Sequence, residues 1–166
     1  MGVYLNPGNV DFQEVLNSKI YVDKSELIQY TNSVLRTTQK YICVSRPRRF
    51  GKSMAANMLT AYYSRGCDSR EMFQGLKIAK HTGFEEHLNQ YNVIHLNMRD
   101  YLTESENMKQ LIQFVEEDLL DELQQEFADL RMPRRRTLVK VLEQAFAQYK
   151  ICLLYTSPSP RDRTRS

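Results

Sequence analysis

The 166-residue chain lacks the cysteine patterns of disulfide-rich and zinc-binding proteins. Cys43, Cys67 and Cys152 are odd in number, far apart and without a Cys-x-x-Cys pair. This usage argues against a disulfide framework and against a structural zinc site. It is typical of a reducing compartment.

Long apolar runs are missing as well. No stretch of the sequence reaches the roughly 18 apolar residues that a membrane-spanning helix needs. The N-terminus, MGVYLNPGN, lacks the basic and apolar regions of a signal peptide. Asn6 stands where a myristoylation signal has Ser or Thr. We therefore expect a cytoplasmic protein with no membrane partner.

Excess charge and metal-ligand spacing are also lacking. The formal net charge is +3, and most of it comes from the last sixteen residues, so the body of the chain is near neutral. Bulk charge thus indicates neither a nucleic-acid footprint nor a membrane surface. The three histidines share no ligand spacing, and we expect no metal cluster from His81, His87 and His95.

What is present is the composition of one ordinary globular domain, with 42% hydrophobic and 26% charged residues. KIYVD predicts a brief extended segment, KYICVS at 40–45 a buried strand, and NVIHLNM at 92–98 a second strand. Helical spacing predicts helices that begin near Asp23 and Ser53, one over FEEHLNQ, one from Ser105 to about Phe127 and one from Thr137 to Tyr149. This alternation predicts an α/β fold with a mainly parallel sheet flanked by helices.

Several residues have an ordinary structural explanation. Tyr62 and Tyr63 are expected to pack in a core. The acidic residues of the 105–127 helix are expected to do no more than solvate its outer face; they are Glu116, Glu117, Asp118, Asp121 and Glu122.

The segment RPRRFGKS contains the end of a phosphate-binding motif. In G-x-x-x-x-G-K-[ST], backbone N–H groups surround the phosphates, the Lys reaches the β and γ oxygens and the hydroxyl binds Mg²⁺. Gly51, Lys52 and Ser53 fill the last three positions, between a predicted strand and a predicted helix. Lys52 is the expected point charge, and Ser53 is the expected metal ligand.

The first position of the motif departs from the pattern, because Arg46 replaces the usual Gly. Arg48 and Arg49 either stabilise the charge of a bound triphosphate or are solvated loop residues. Phe50 is expected to pack in the loop. The predicted nucleotide-binding residues are Arg46, Pro47, Arg48, Arg49, Phe50, Gly51, Lys52, Ser53 and Met54, with ATP and Mg²⁺ as the predicted cofactors.

YVDKSELI followed by CVSRPRRFGKSMAANMLTAYY resembles the AAA-ATPase-like domain of bacterial and archaeal proteins that often carry a PD-(D/E)XK nuclease-like domain downstream. The resemblance covers roughly residues 1–150. It implies a P-loop NTPase-like fold, and in that family the first Gly of the motif is commonly replaced, as it is at Arg46. It also implies that Asp23 and Lys24 belong to a recurrent YVDK element, whose chemical role the sequence does not indicate.

The resemblance further implies a Walker B strand ending in acidic residues, beginning just after Tyr149–Lys150. Asp100 follows LNMR, without the apolar run or the paired acids of such a strand. We therefore expect residues 1–150 to be the N-terminal part of the domain, without its catalytic carboxylates. ATP hydrolysis is expected of the intact protein, and little or none of this fragment.

The character of the chain changes at ICLLYTSPSPRDRTRS, residues 151–166. Residues 152–162 can be back-translated into a sequence that resembles a transposon-derived sequencing adapter. The expected interpretation is a non-native tail; the alternative is a strand followed by a disordered end.

Two other functions stay open on the sequence. The chain is either a nucleotide-binding domain or an interaction module that keeps a P-loop shape without useful nucleotide turnover. The run from Arg131 to Thr137 adds a third alternative, a grip on a nucleic-acid backbone, although charge before a helix is usually solvated.

Overall fold

The computed structural model describes residues 2–45, 50–134 and 137–149, and the backbone of residues 154–156. The chain forms two compact units. One comprises Gly8–Gln90, and the other comprises Met1–Pro7 with Tyr91–Ser166. In the described residues, no helix combines the length and the hydrophobicity needed to cross a membrane.

The unit Gly8–Gln90 is built from helices around an aromatic core. Its elements are α1 (Val10–Leu16), α2 (Glu26–Val34), α3 (Lys52–Tyr63), α4 (Arg70–Phe73), a 3₁₀ helix (Lys77–Lys80) and α5 (Phe84–His87). Three helices meet at Phe73, whose ring centroid lies 5.1 Å from that of Phe12 and 5.5 Å from that of Tyr62. Tyr62 and Tyr63 are fully buried, as predicted.

Buried hydroxyls tie the helices of this unit together. Tyr62 Oη donates to the carbonyl of Phe84 at 2.6 Å, and Tyr63 Oη lies 2.6 Å from Thr31 Oγ1. Both tyrosines thus bury a large ring while their hydroxyls keep a partner, as a buried phenol requires. These hydrogen bonds fix the C-terminal half of α3 against α2 and α5. The position of the N-terminal end of α3 is thereby defined as well.

The second unit contains both described strands and three helices between them. Its elements are β1 (Val93–His95), α6 (Met98–Glu104), α7 (Met108–Glu126), α8 (Leu138–Tyr149) and β2 (Leu154–Thr156). β1 and β2 pair in parallel, with Val93 opposite Leu154. The core is formed by buried apolar residues that include Leu111, Leu119, Leu123, Val141 and Ala145.

Two acidic residues of α7 do more than solvate the helix, which corrects the expectation from the sequence. Glu122 accepts hydrogen bonds from the backbone N–H groups of Val3, Tyr4 and Leu5, at 2.6–3.2 Å. Asp118 accepts one from Tyr101 Oη at 2.8 Å. The N-terminal segment is therefore bound to α7 by a carboxylate that receives three consecutive amides.

The predicted strand at residues 40–45 does not form. Tyr41 is 85% exposed, and Ile42 and Val44 are also exposed. A strand is stabilised by pairing with neighbouring strands. In the described residues, β1 and β2 pair with each other and not with this segment. The P-loop α/β arrangement, with its mainly parallel sheet, stays a prediction.

Candidate functional site

The described part of the predicted phosphate-binding loop begins at Phe50 and leads into α3. Arg46, Pro47, Arg48 and Arg49 lie outside the described residues. Gly51 is the N-cap of α3, with φ of +74° and ψ of 33°, and its carbonyl accepts the first helical bond, from Ala55 N at 3.0 Å. The left-handed conformation is one that glycine adopts without steric cost.

Helix α3 begins directly after this glycine, with residues that the sequence predicts to bind the nucleotide. Lys52, Ser53 and Met54 occupy the first turn of α3, and the side chains of Ser53 and Met54 are exposed. The first N–H groups of a helix have no partner within the helix, and the dipole makes this end electropositive. The turn thus offers backbone donors, an ammonium group and a hydroxyl, which together suit an anion that carries a metal ion.

Lys24 also reaches this loop, and the sequence did not reveal that contact. Its Nζ donates to the carbonyl of Phe50 at 2.7 Å. A Cβ added to Gly51 would lie 2.8 Å from the same Nζ. The loop therefore receives a cation from outside it, from a residue 26 positions before Phe50 in the chain.

Asp23 and Ser25, on either side of Lys24, are bonded to the 3₁₀ helix. Asp23 accepts from Ser25 N at 2.8 Å and from Lys77 N at 2.9 Å, and Ser25 Oγ accepts from Ile78 N at 3.1 Å. Partial burial by itself would raise the pKa of Asp23, but the hydrogen bonds from Ser25 and Lys77 and the charge of Lys77 hold that pKa below its ordinary value. The carboxylate is thus stabilised in its charged form.

An apolar pocket lies beside the loop. Its volume is about 320 Å³, and it is lined by Ile20, Tyr21, Val22, Lys24, Phe50, Gly51, Met54, Ala55 and Met58. Met58 is buried, whereas Phe50 is 59% exposed, which is more than the prediction of a packed side chain implies. Such a pocket suits a flat apolar or heteroaromatic group attached to whatever the loop binds.

Tyr21 provides a polar group among these lining residues. In the described chain its hydroxyl is buried without a hydrogen-bond partner. Burial and the charge of Asp23 raise the pKa of Tyr21 to about 12. The phenol is therefore neutral at physiological pH and is able to donate a hydrogen bond.

The structure also describes several other groups that the sequence analysis considered. Among the described residues, no group of three or more His, Cys, Asp or Glu side chains is placed to hold a metal ion. Asp100 lies within α6 instead of at the end of a strand. In the basic run from Arg131 to Thr137, Arg135 and Arg136 lie outside the described residues.

The sequence singled out Gly51, Lys52 and Ser53, which stand at the start of α3, but it did not indicate the contacts of Asp23 and Lys24. Their recurrence in the YVDK element was the available signal, yet the contacts join residues 26 and 54 positions apart. No spacing rule links such distant positions.

Comparison with known proteins shows a match to a protein family. The family model described as predicted AAA-ATPase matches residues 7–154, which includes the loop, the YVDK element and helices α1 to α8. Neither a curated protein nor a solved structure matches the chain significantly. Since the match extends over most of the sequence, the chain belongs to the AAA-ATPase-like family of predicted AAA-ATPases.

Proposed function

We propose that the chain binds a magnesium–nucleoside triphosphate, ATP in the first place, at the loop of residues 46–53. The observation that carries the proposal is the left-handed Gly51 at the N-cap of α3, followed at once by Lys52 and Ser53. Membership of the AAA-ATPase-like family supports the proposal, because that family suggests nucleotide use. A P-loop NTPase-like α/β fold, with a mainly parallel sheet flanked by helices, is part of the same proposal.

Each residue at the start of α3 has a role in this proposal. The ammonium of Lys52 neutralises the β and γ phosphates, and the amides of the first helical turn donate to their oxygens. The Ser53 hydroxyl is exposed and would be the oxygen ligand that the start of α3 offers to a magnesium ion. Magnesium contributes charge neutralisation across the phosphates. The apolar pocket beside Phe50 and Met54 receives the base.

ATP hydrolysis is proposed for the intact protein and not for residues 1–150 alone. The predicted site residues, 46–54, contain cations and a hydroxyl but no carboxylate or histidine to orient a water molecule. These groups suit the binding of a triphosphate but not the activation of the water molecule that attacks it. A nuclease-like partner domain downstream remains an expectation from the family resemblance.

The first test is titration with a fluorescent ATP analogue, with and without Mg²⁺, on the full chain. Lys52→Ala should weaken binding about 10- to 100-fold, because a hydrogen bond to a charged group contributes roughly 1.5–3 kcal/mol. Lys80→Ala is the matched control. It removes the same charge from an exposed position in the 3₁₀ helix of the same unit, and the affinity should be unchanged.

Ser53→Ala separates the metal from the phosphate contacts. We expect it to reduce the gain in affinity that Mg²⁺ produces, while binding without Mg²⁺ stays as in the parent chain. An affinity that changes neither with Mg²⁺ nor in Lys52→Ala would contradict the proposal. That outcome would favour the alternative of an interaction module that keeps only the shape of the loop.

A further inference from the structure

We propose that Lys24 is a positioning residue of the phosphate-binding loop: its ammonium fixes the peptide between Phe50 and Gly51, so that the amide of Gly51 faces a bound phosphate. The effect on nucleotide binding rests on the proposed function. The effect on the loop itself does not.

The argument begins with the direction of one carbonyl. Lys24 Nζ donates to Phe50 O at 2.7 Å, which is the length of a charge-assisted hydrogen bond. In a planar trans peptide, the C=O and the following N–H point in opposite directions. A carbonyl held toward Lys24 therefore turns the N–H of Gly51 to the opposite side of the loop.

The residues that flank Lys24 are themselves held in place. Asp23 receives the backbone N–H of Lys77, and Ser25 Oγ receives that of Ile78. The residues on both sides of Lys24 are thus bound through their side chains to the 3₁₀ helix, which restrains the backbone from which Lys24 extends. A long side chain loses rotamer freedom when it forms one contact, and an anchored backbone reduces the further ordering that this contact needs.

Gly51 makes the approach of the ammonium possible. A side chain at this position would begin 2.8 Å from Lys24 Nζ, which is too close for undisturbed packing. The positive φ of Gly51 independently calls for glycine. The same residue thus allows both the turn into α3 and the contact with Lys24, which links the YVDK element to the nucleotide loop.

The test uses Lys24→Met, which keeps an unbranched side chain but removes the donor, and Lys24→Arg, which restores a cationic donor. Lys80→Met is the matched control at an exposed site of the same unit. Two readouts are needed. One is amide exchange of Ala55, whose N–H donates to Gly51 O at 3.0 Å, in the nucleotide-free full chain. The other is the affinity for the fluorescent ATP analogue with Mg²⁺.

We expect Lys24→Met to speed the exchange of Ala55 about fivefold and to weaken analogue binding about tenfold, as the loss of one charge-assisted bond implies. Lys24→Arg should recover most of both effects. The urea midpoint of Lys24→Met should match that of Lys80→Met, which separates positioning of the loop from a general loss of stability.

Unchanged exchange and unchanged affinity in Lys24→Met overturn the inference, and so does a loss that Lys24→Arg fails to recover. If the parent chain does not bind the analogue, the proposed function fails, and the exchange of Ala55 alone decides the role of Lys24. Faster exchange that arginine reverses then supports positioning of the loop, and unchanged exchange overturns it.

Discussion

Two glycines of the unit Gly8–Gln90 adopt a left-handed backbone at the N-cap of a helix. Gly51 precedes α3 with φ of +74°, and Gly83 precedes α5 with φ of +90°. Their surroundings differ. An added Cβ at Gly51 would meet Lys24 Nζ at 2.8 Å, whereas at Gly83 the nearest atom is Glu86 Oε2 at 3.7 Å. Comparing substitutions at the two glycines therefore separates the loss of stability caused by backbone strain from an effect on ligand binding.

Gly51→Ala and Gly83→Ala should each lower the free energy of unfolding by about 1 kcal/mol, because an L-residue with positive φ is strained by that order. Only Gly51→Ala should also weaken binding of the ATP analogue, since its methyl group displaces Lys24 from the peptide that Lys24 positions. Urea unfolding and analogue titration measure the two effects. Equal analogue affinity in the two variants would remove Gly51 from the site.

Asp23 joins two elements, because its carboxylate binds the backbone before α2 and the first residue of the 3₁₀ helix. Its pKa in the folded protein lies below the ordinary value, so the unfolded chain takes up a proton more readily than the folded one. The stability that Asp23 contributes is therefore present above the unfolded pKa, near 4, and is lost as pH falls through the folded pKa.

Asp23→Asn should lower the stability at pH 7 by about 1 kcal/mol, because the amide has one acceptor oxygen for two bonds and carries no charge. The variant should also lose less stability than the parent chain when the pH is lowered below about 4. Urea midpoints over a pH series measure both effects. Asp11→Asn, at an exposed position of α1, is the control. A parallel decline in parent and variant contradicts the linkage.

The helices show which elements the sequence predicts well. The spacing of Leu111, Leu119 and Leu123 predicted a helix over 105–127, and α7 spans Met108–Glu126. The helix predicted for 137–149 is α8, Leu138–Tyr149. Helical periodicity is local, so one face of a long helix can be read from the sequence alone. These predictions are confirmed to within three residues at each end.

Strands and carboxylate anchors depend on distant partners, and their prediction was poorer. Val93–His95 was found within the predicted segment 92–98, but the run at 40–45 has strand-like residues and forms no strand. Glu122 was assigned to solvent although it binds residues 117–119 positions away. A local pattern contains no information on such partners, and for the same reason it did not indicate the contact between Lys24 and Phe50.

At the scale of the whole molecule, the chain has two cores. Aromatic residues such as Phe73 and Tyr62 fill the unit Gly8–Gln90, and an aliphatic cluster around Leu119 and Leu123 fills the other unit. The described loop residues, Lys24 and the apolar pocket all belong to the unit Gly8–Gln90. The described residues that we propose for the ligand therefore all come from one unit.

Binding stabilises the state that holds the ligand, by about 2.7 kcal/mol at a ligand concentration of a hundred times Kd. We expect saturating Mg²⁺–ATP to slow amide exchange in α2, in α3 and in the 3₁₀ helix, which Asp23 and Lys24 connect to the loop. The exchange of α7 around Leu119 should change little, because its core is formed by the other unit. Lys52→Ala should abolish the added protection. Protection of equal size in α7 and α3 would show that the ligand stabilises the chain as one cooperative body, and no protection in α3 would place the ligand elsewhere.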